Sequence, residues 1–541
     1  MHNYVLSKFI ITESKKRTSP TKSLIAFSMT SKPHLPLASA LNLHDYPSTF
    51  PIARTLNRNI HFHLGPTNSG KTYEALQVLQ KASSGVYLAP LRLLAMEIRD
   101  RLMEAGVPCN LVTGEERVLM PGARHTACTV EMMNPSHEVD VAIIDEIQML
   151  QDESRGYAWT AALIGAPARD VFVCGSDAVT EPCIRAIEAL GEPYEITRLE
   201  RKTPLVLESE ALSGDRYSRW KLKKHLRKGD AVIAFTRKDV LTLSARFRQW
   251  GFGVASIYGA LSPEVRRTEA RRFSSGEAGI LVATDAVGMG LNLPIRRVVF
   301  STTHKFDGVA TRDLNATEVR QIAGRAGRYG IYPTGYVNAF ENDELIHIDH
   351  MLTTSDTSEL KKLPITPNLF HMQVLSEARH NNKIGELLAY FTERIGIDSP
   401  IFETAALSVH VNQGNLIDEH APNLPLAHKF IFSCAPLSLD KDHEVDYFLA
   451  CLKSFATSTK RLLPAAPSWL TSTSPKHLEG AENLSKDLSL YAWLSFKFPK
   501  VFYEGDMVPE LRGKVSRYIE QALLTQAGFG DTSKELLYGY K

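Results

Sequence analysis

The sequence predicts an α/β fold: two consecutive parallel-sheet units followed by a mainly α-helical C-terminal region. Three observations carry this. β-rich runs alternate with helical patterns from about residue 58, the alternation resumes near residue 230, and after about residue 345 the β-rich runs stop. Strands alternating with helices build parallel sheets, because each crossover helix packs back onto the sheet and covers a face.

In the first unit "IHFHLG", "GVYLAP", "CNLVTG", "HTACTV", "VAIIDE" and "VFVCGS" read as buried strands. "GKTYEALQVLQKA" and "PLRLLAMEIRDRLMEAG" have helical spacing and good helix formers. In the second unit the strands are "AVIAFT", "GVASIYG", "GILVATD", "RRVVFSTT" and "GYVNAF", with helices such as "RKDVLTLSARFRQWG" between them. The joining segment "TRLERKTPLVLESEAL" is polar and holds a proline, so it reads as a linker or extended connection. Beyond it, "ELKKLPITPNLFHMQVLSEARHNNKIGELLAYFTERIG" and "LSKDLSLYAWLSFKFP" are amphipathic and helical, whereas residues 396–482 are interrupted by Pro, Ser and Thr. The expected division is a disordered leader over 1–57, a first unit over 58–206, a second over 207–345 and a helical region over 346–541.

A chain of 541 residues exceeds a single hydrophobic core. Its 44% apolar and 23% charged residues are ordinary for a globular protein. No apolar run approaches the ~20 residues a membrane span needs, so no membrane is expected as a partner. A net charge of +2 does not exclude nucleic acid, since a neutral chain can carry a basic groove. The six cysteines form no C-x-x-C pair, and four lie in or beside apolar segments; buried thiols in a reducing compartment are expected. The first 44 residues carry Lys8, Lys15, Lys16, Arg17, Lys22 and Lys32 against one acid, Glu13. A transit peptide, or a true start at Met29, stands as the alternative to a disordered leader.

"GPTNSGKT" (Gly65, Pro66, Thr67, Asn68, Ser69, Gly70, Lys71, Thr72) fits G-x-x-x-x-G-K-[ST] between a strand and a helix. The glycines let backbone N–H groups close around phosphate, and the helix N-terminus adds a favourable dipole. Lys71 is placed for the β- and γ-phosphates of ATP, and Thr72 for Mg²⁺. "VAIIDEIQ" ends a buried strand in two carboxylates, with Asp145 expected to hold Mg²⁺ and Glu146 to polarise the attacking water. "QIAGRAGRYG" sets Gln321, Arg325 and Arg328 in one helical turn region, the two arginines sharing a face. A guanidinium meeting the γ-phosphate stabilises charge that develops in the transition state. Gly324 and Gly327 weaken a helix, which points to close approach against another surface. "ILVATDAVGMGLNLP" ends a strand in polar residues and glycines; Thr284 is a candidate for a phosphate backbone, and Asp285, Gly288 and Gly290 for the ATP cleft. Glu146, Gln321, Arg325 and Arg328 are thus the candidate catalytic residues. A nucleotide held between the two units would draw them together, and hydrolysis would let them part.

The motifs "GPTNSGKT", "APLRLLAMEI", "TGEER", "TVEMM", "DEIQ", "YGALSP", "ATDAVGMGLNL" and "QIAGRAGR", in this order, resemble those of superfamily-two helicases with tandem RecA-like domains. They are most similar to the Suv-three family of ATP-dependent RNA helicases, a DExH-type group known from mitochondria and bacteria. "LSKDLSLYAWLSFKFPKVF" resembles that family's terminal helical module, expected here at about 480–530. The resemblance implies that Arg92, Thr113, Thr129 and Thr284 face the nucleic-acid strand, and that Gln148 couples the acidic motif to the second unit. It also implies 3′-to-5′ movement on RNA, duplex substrates with a single-stranded tail, and cooperation with an exoribonuclease in RNA turnover. Two departures are present: only 64 residues precede Gly65, which suggests a bacterial-type cytoplasmic protein over a mitochondrial one, and "CGSDAVT" stands where the family has Gly-Glu-Pro. A DNA helicase or an ATP-switched RNA-binding adaptor are the alternative functions, since no residue announces a 2′-OH contact. The basic stretches "RYSRWKLKKHLRKGD" and "RRTEARRF" read as solvated helix faces.

Overall fold

The computed structural model describes residues 41, 43–213, 219–288, 293–306, 310–354, 360–395, 397, 399–472 and 474–525. Strands β1 (Asn59–Leu64), β2 (Gly85–Ala89), β3 (Cys109–Val112), β4 (Arg117–Val118), β5 (His125–Thr129), β6 (Val139–Ile144), β7 (Ala168–Gly175) and β8 (Tyr194–Arg198) form one sheet. Its order is β4-β3-β5-β2-β6-β7-β1-β8, parallel except for the antiparallel β3–β4 pair. Val141 to Ile144 are all buried, as a central strand covered on both faces requires. Parallel pairing brings the C-terminal ends of β1, β2 and β6 to one edge, where ligands of open α/β sheets bind.

The second sheet contains β9 (Leu205–Leu207), β10 (Asp230–Ile233), β11 (Val254–Ile257), β12 (Ile280–Ala283), β13 (Arg297–Phe300) and β16 (Gly335–Ala339), in the order β11-β12-β10-β13-β16-β9. All its pairs are parallel. A small antiparallel pair, β14 (His304–Phe306) with β15 (Thr311–Asp313), lies outside it. β9 starts at Leu205, inside the stretch read as linker, so the second sheet begins ahead of residue 207.

The expectation of a leader running to residue 57 is corrected for its last part; residues 1–40 lie outside the described residues. Leu43–Thr49 forms a 3₁₀ segment and Pro51–Thr55 a short helix, and Tyr46, Phe50 and Ala53 are buried in the first unit's core. The Phe50 ring packs so closely on Gly165 that a Cβ there would overlap it. Arg58, 1% exposed, donates to the carbonyls of Leu163 and Ile164 (both 2.6 Å) and pairs with Glu192 at 3.3 Å. Its guanidinium satisfies the last carbonyls of the helix Gly156–Gly165.

The C-terminal region is mainly helical but holds one parallel pair, β17 (Leu363–Ile365) with β18 (Phe402–Thr404). β17 falls in a stretch read as helix. The region packs on both units. Leu363, Met372, Leu387 and Phe391 share a core with Trp159 and Leu163 of the first. Phe432, Phe448, Leu488, Tyr491 and Tyr518 share one with Val240, Phe247 and Tyr258 of the second. Buried Glu482 ties the helix Leu478–Lys497 to the second unit, accepting from the Tyr258 hydroxyl at 2.6 Å and pairing with Arg237 at 2.6 Å. The helices Ile384–Arg394 and Ser408–His420 meet backbone to backbone: a Cβ on Gly414 would lie 2.8 Å from the Gly385 Cα. Five cysteines are buried and Cys434 half-buried, all as free thiols. Among the described residues no helix is long and apolar enough to cross a membrane.

Candidate active site

The loop after β1 turns sharply. Asn68 (φ 65°) and Gly70 (φ 95°) are both left-handed, and the helix Lys71–Lys81 follows at once. The left-handed φ is what calls for glycine at Gly70, since the nearest atom to a Cβ there is the mobile end of Lys202. The Gly65 N–H donates to the Gly175 carbonyl at 3.0 Å, and Leu199 N and Lys202 N bond to Leu64 O (2.8 Å) and Asn68 O (3.1 Å). The loop is therefore gripped from β7 and from the chain beyond β8. Lys71 Nζ lies over the loop, donating to the carbonyls of Gly65 (3.2 Å) and Pro66 (3.3 Å). Ser69 is buried, and its hydroxyl has no hydrogen-bond partner.

Asp145 follows β6 at the same edge. Its Oδ1 accepts from Thr72 Oγ1 (3.1 Å) and from Glu146 N (3.0 Å), and its Oδ2 from the Tyr87 hydroxyl (2.5 Å). Burial, and then the neighbouring Glu146 carboxylate, push its pKa up to about 6, against the pull of Tyr87 and Lys71. The two adjacent oxygens of Thr72 and Asp145 suit a hard cation, and these residues would hold Mg²⁺, with the other oxygens coming from phosphate and water. Among the described residues no cluster of three or more His, Cys, Asp or Glu side chains could hold a metal ion. Glu146 takes a left-handed backbone (φ 54°) that turns its carboxylate from the strand into the cleft. Gln148 binds Glu146 Oε2 with its amide nitrogen and accepts from Ser176 N at 3.1 Å with its oxygen. The atypical "CGSDAVT" thus joins the acidic motif through the main-chain N–H of Ser176, and its Gly175 leaves the room, since a Cβ there would come within 2.5 Å of Gln148 Oε1.

The second unit closes the other wall. Arg325 Nη2 is 3.6 Å from Glu146 Oε1, and Arg328 and Tyr329 line the same cleft of about 530 Å³ with Thr67 to Thr72, Asp145 and Glu146. The helical expectation here is corrected: the helix is Ala316–Ala323, Gly324 caps it and Gly327 is left-handed (φ 75°). Arg325 and Arg328 therefore project from a turn, not from one helical face. Close approach does account for Gly324, where a Cβ would fall 2.9 Å from Thr67 Oγ1. Two candidates stand apart from the cleft. Gln321 and Asp285 line a separate hollow of about 190 Å³, where Lys305 Nζ pairs with Asp285 at 3.1 Å. Gly288 ends the 3₁₀ turn Asp285–Gly288, and Gly290 lies outside the described residues.

The candidates for nucleic acid all follow strand ends: Arg92 after β2, Thr113 after β3, Thr129 closing β5 and Thr284 after β12. Arg92 is not an open cation. It is held by Glu115 (2.8 Å), Glu116 (2.9 Å) and Glu264 of the second unit (2.9 Å), and Arg512 of the terminal helix shares Glu115 at 2.9 Å. Thr113 Oγ1 accepts from the N–H groups of Glu115 (3.4 Å) and Glu116 (3.1 Å), shaping the loop that carries those acids. Thr129 caps the short turn Val130–Met132, and Thr284 is buried with its N–H on Ile257 O at 2.9 Å.

Family models match along this framework. The DEXQ-box helicase domain of Suv3 covers residues 47–199, the helicase conserved C-terminal domain 218–330 and the ATP-dependent RNA helicase SUV3 C-terminal domain 478–525. The chain is 35% identical over 483 residues to the ATP-dependent RNA helicase SUV3, mitochondrial, of Oryza sativa subsp. japonica, covering 88% of this chain and 81% of the relative. The chain belongs to the Suv3 family. A second relative, the DExH-box ATP-dependent RNA helicase DExH16, mitochondrial, of Arabidopsis thaliana, is 35% identical over 88% of this chain and 82% of its own length. As in the family, the two sheets are tandem RecA-like units with a helical C-terminal region. The reading as a bacterial-type cytoplasmic protein is corrected: these relatives are named as mitochondrial. The length of chain before Gly65 misled: a relative named as mitochondrial is covered over 81% of its own length. The acidic motif, Asp145-Glu146-Ile147-Gln148, has the DEXQ form that the family model describes.

Several residues of the site escaped the sequence, Tyr87 and Arg201 among them. Tyr87 sits mid-strand in "GVYLAP" and reads as core; its hydroxyl shows its use only once β2 is paired with β6. Arg201 lies in the polar stretch taken for linker, and its partners are main-chain carbonyls far along the chain, which leave no side-chain pattern to read.

Proposed function

We propose that this chain is an ATP-dependent RNA helicase in which hydrolysis in the cleft between the two units drives translocation on RNA and duplex unwinding. One observation carries the reading. Arg325 of the second unit approaches Glu146 of the first over a phosphate-binding loop, so one pocket is completed only by both units. Lys71 and the loop N–H groups bind the β- and γ-phosphates, Thr72 and Asp145 hold Mg²⁺, and Glu146 receives a proton from the attacking water. Arg325 and Arg328 stabilise charge on the γ-phosphate, and its loss on hydrolysis frees the second unit to move. The names of these relatives support RNA as the polymer and mitochondria as the location. Family resemblance supports 3′-to-5′ polarity, a role in RNA turnover beside an exoribonuclease, and the wider DExH group.

Steady-state ATPase activity without polymer, with single-stranded RNA and with single-stranded DNA tests this, with Lys71→Ala as the blank. Stimulation by RNA alone is expected, followed by unwinding of a tailed RNA duplex. Equal stimulation by DNA would defeat RNA specificity, and ATP binding with no stimulated turnover would leave only an ATP-switched adaptor.

A further inference from the structure

Besides the approach of Arg325 to Glu146, the arginine turn is held to the first unit by its main chain. Between Gly324 and Gly327 the main chain points three carbonyls at the first unit. Asn68 Nδ2 reaches those of Gly324 (3.2 Å), Ala326 (3.5 Å) and Gly327 (2.5 Å). Arg201 reaches further. Its Nη1 donates to Gly324 O at 2.7 Å and to Thr67 O in the phosphate loop at 2.9 Å, its Nη2 to Ala326 O, and its Nε to Thr203 O at 2.6 Å. A planar fork with five fixed donors suits such a divergent set of acceptors, and an ammonium does not.

Arg201 has a second peculiarity. It is partly buried with a pKa lowered to about 10 by desolvation, and its hydrogen bonds all go to main-chain carbonyls. A desolvated cation compensated by dipoles alone is a poor way to gain stability. Its place in the chain gives a better reason: it lies between β8 of the first sheet and β9 of the second, in the covalent joint of the two units.

We infer that Arg201 is a positioning residue for ATP hydrolysis: by bridging Thr67 O to Gly324 O and Ala326 O, it sets Arg325 and Arg328 at working distance from the phosphate loop. This rests on the ATPase reading of the cleft. Misplacement of a reacting group by about 1 Å costs about 100-fold in rate. The phosphate loop is held without the fork by the bonds to Gly175, Leu199 and Lys202, so loss of Arg201 displaces the arginine turn and lowers turnover more than nucleotide affinity.

The test uses the full-length chain as R201A and R201K, with RNA-stimulated kcat, KM for ATP, and the Kd of a fluorescent ATP analogue. In both variants kcat is expected to fall about 10- to 100-fold, with KM and Kd within about twofold of wild type. Guanidinium at sub-denaturing concentration should restore turnover to R201A above a matched sodium chloride control, and should not restore R201K, whose side chain fills the space. If R201A does not fold, R201K carries the test alone. Wild-type kcat in either folded variant overturns the inference, as does analogue binding that falls in step with kcat. Absence of RNA-stimulated turnover in the wild type would instead sink the ATPase reading itself.

Discussion

Glu146 is a residue whose position says more than its type. Its left-handed backbone and its bond from Gln148 hold one carboxylate oxygen toward Arg325, a posture that an acid capping a helix would not need. Glu146→Gln keeps the shape and removes the proton acceptor. It is expected to bind ATP as wild type does and to lose about 100-fold or more of kcat, measured by analogue binding beside single-turnover hydrolysis. His371 offers a separate test by pH. It is 4% exposed, its Nδ1 accepts from Asn368 N at 3.1 Å, and burial lowers its pKa to about 4. Between pH 6.5 and 4 the unfolded chain takes up a proton there and the folded chain does not. Stability is thus full above pH 6.5, falls as the pH drops through this window, and is lost by at most ~3 kcal/mol below pH 4. Denaturant unfolding at stepped pH should show that loss in the wild type and a flatter profile in His371→Gln.

Among the elements, the contact of Ile384–Arg394 with Ser408–His420 is the one most sensitive to a single carbon. Gly414→Ala would drive a Cβ against the Gly385 backbone, which cannot rotate away. A loss of about 1–3 kcal/mol is expected, read as a lower midpoint in denaturant, whereas a Cβ at Gly259 meets nothing within 4 Å. How far the elements could be read from the sequence follows the same logic of neighbours. β6 and β12 were legible because a strand buried on both faces must be a continuous apolar run bounded by polar residues. β9, β17 and β18 were not, for three residues pairing at a sheet edge or as an isolated pair leave no period. Within the site, the phosphate loop and the acid pair were legible, since their chemistry needs particular side chains at fixed spacing. Gln321 and Asp285 were assigned by proximity to motifs and lie in the neighbouring hollow. The end of the arginine helix at Ala323 was hidden because the turn that follows is set by Thr67, Asn68 and Arg201, more than a hundred residues earlier.

At the scale of the whole molecule, one cluster of charges joins three parts of the chain. Arg92, Glu115 and Glu116 come from the first unit, Glu264 from the second and Arg512 from the terminal helix. Arg512→Ala would leave Glu115 with a single arginine and vacate a side chain 8% exposed. Glu115 keeps Arg92, so no charge is left unpaired; the lost charge-assisted contact is worth about 1–2 kcal/mol, and the loss should fall on one contact. Hydrogen exchange should quicken over residues 478–525 and the loop at Thr113, with little change in β6 or β12. Uniform quickening across both sheets would show that the cluster holds no particular joint.

The C-terminal region shares a core with each unit, and the covalent joint at Arg201 links the same two bodies elsewhere. Where the contacts made through side chains open, such as Arg92 with Glu264 and Asn68 with Gly324, two bodies still pinned by chain and by shared core behave like a door and its frame: most relative displacements are blocked, and swinging about the line through the pins remains. The mechanical cycle of this protein then reduces to a single angle. One pair of labels, set across the mouth of the cleft and far from that line, would be enough to follow it.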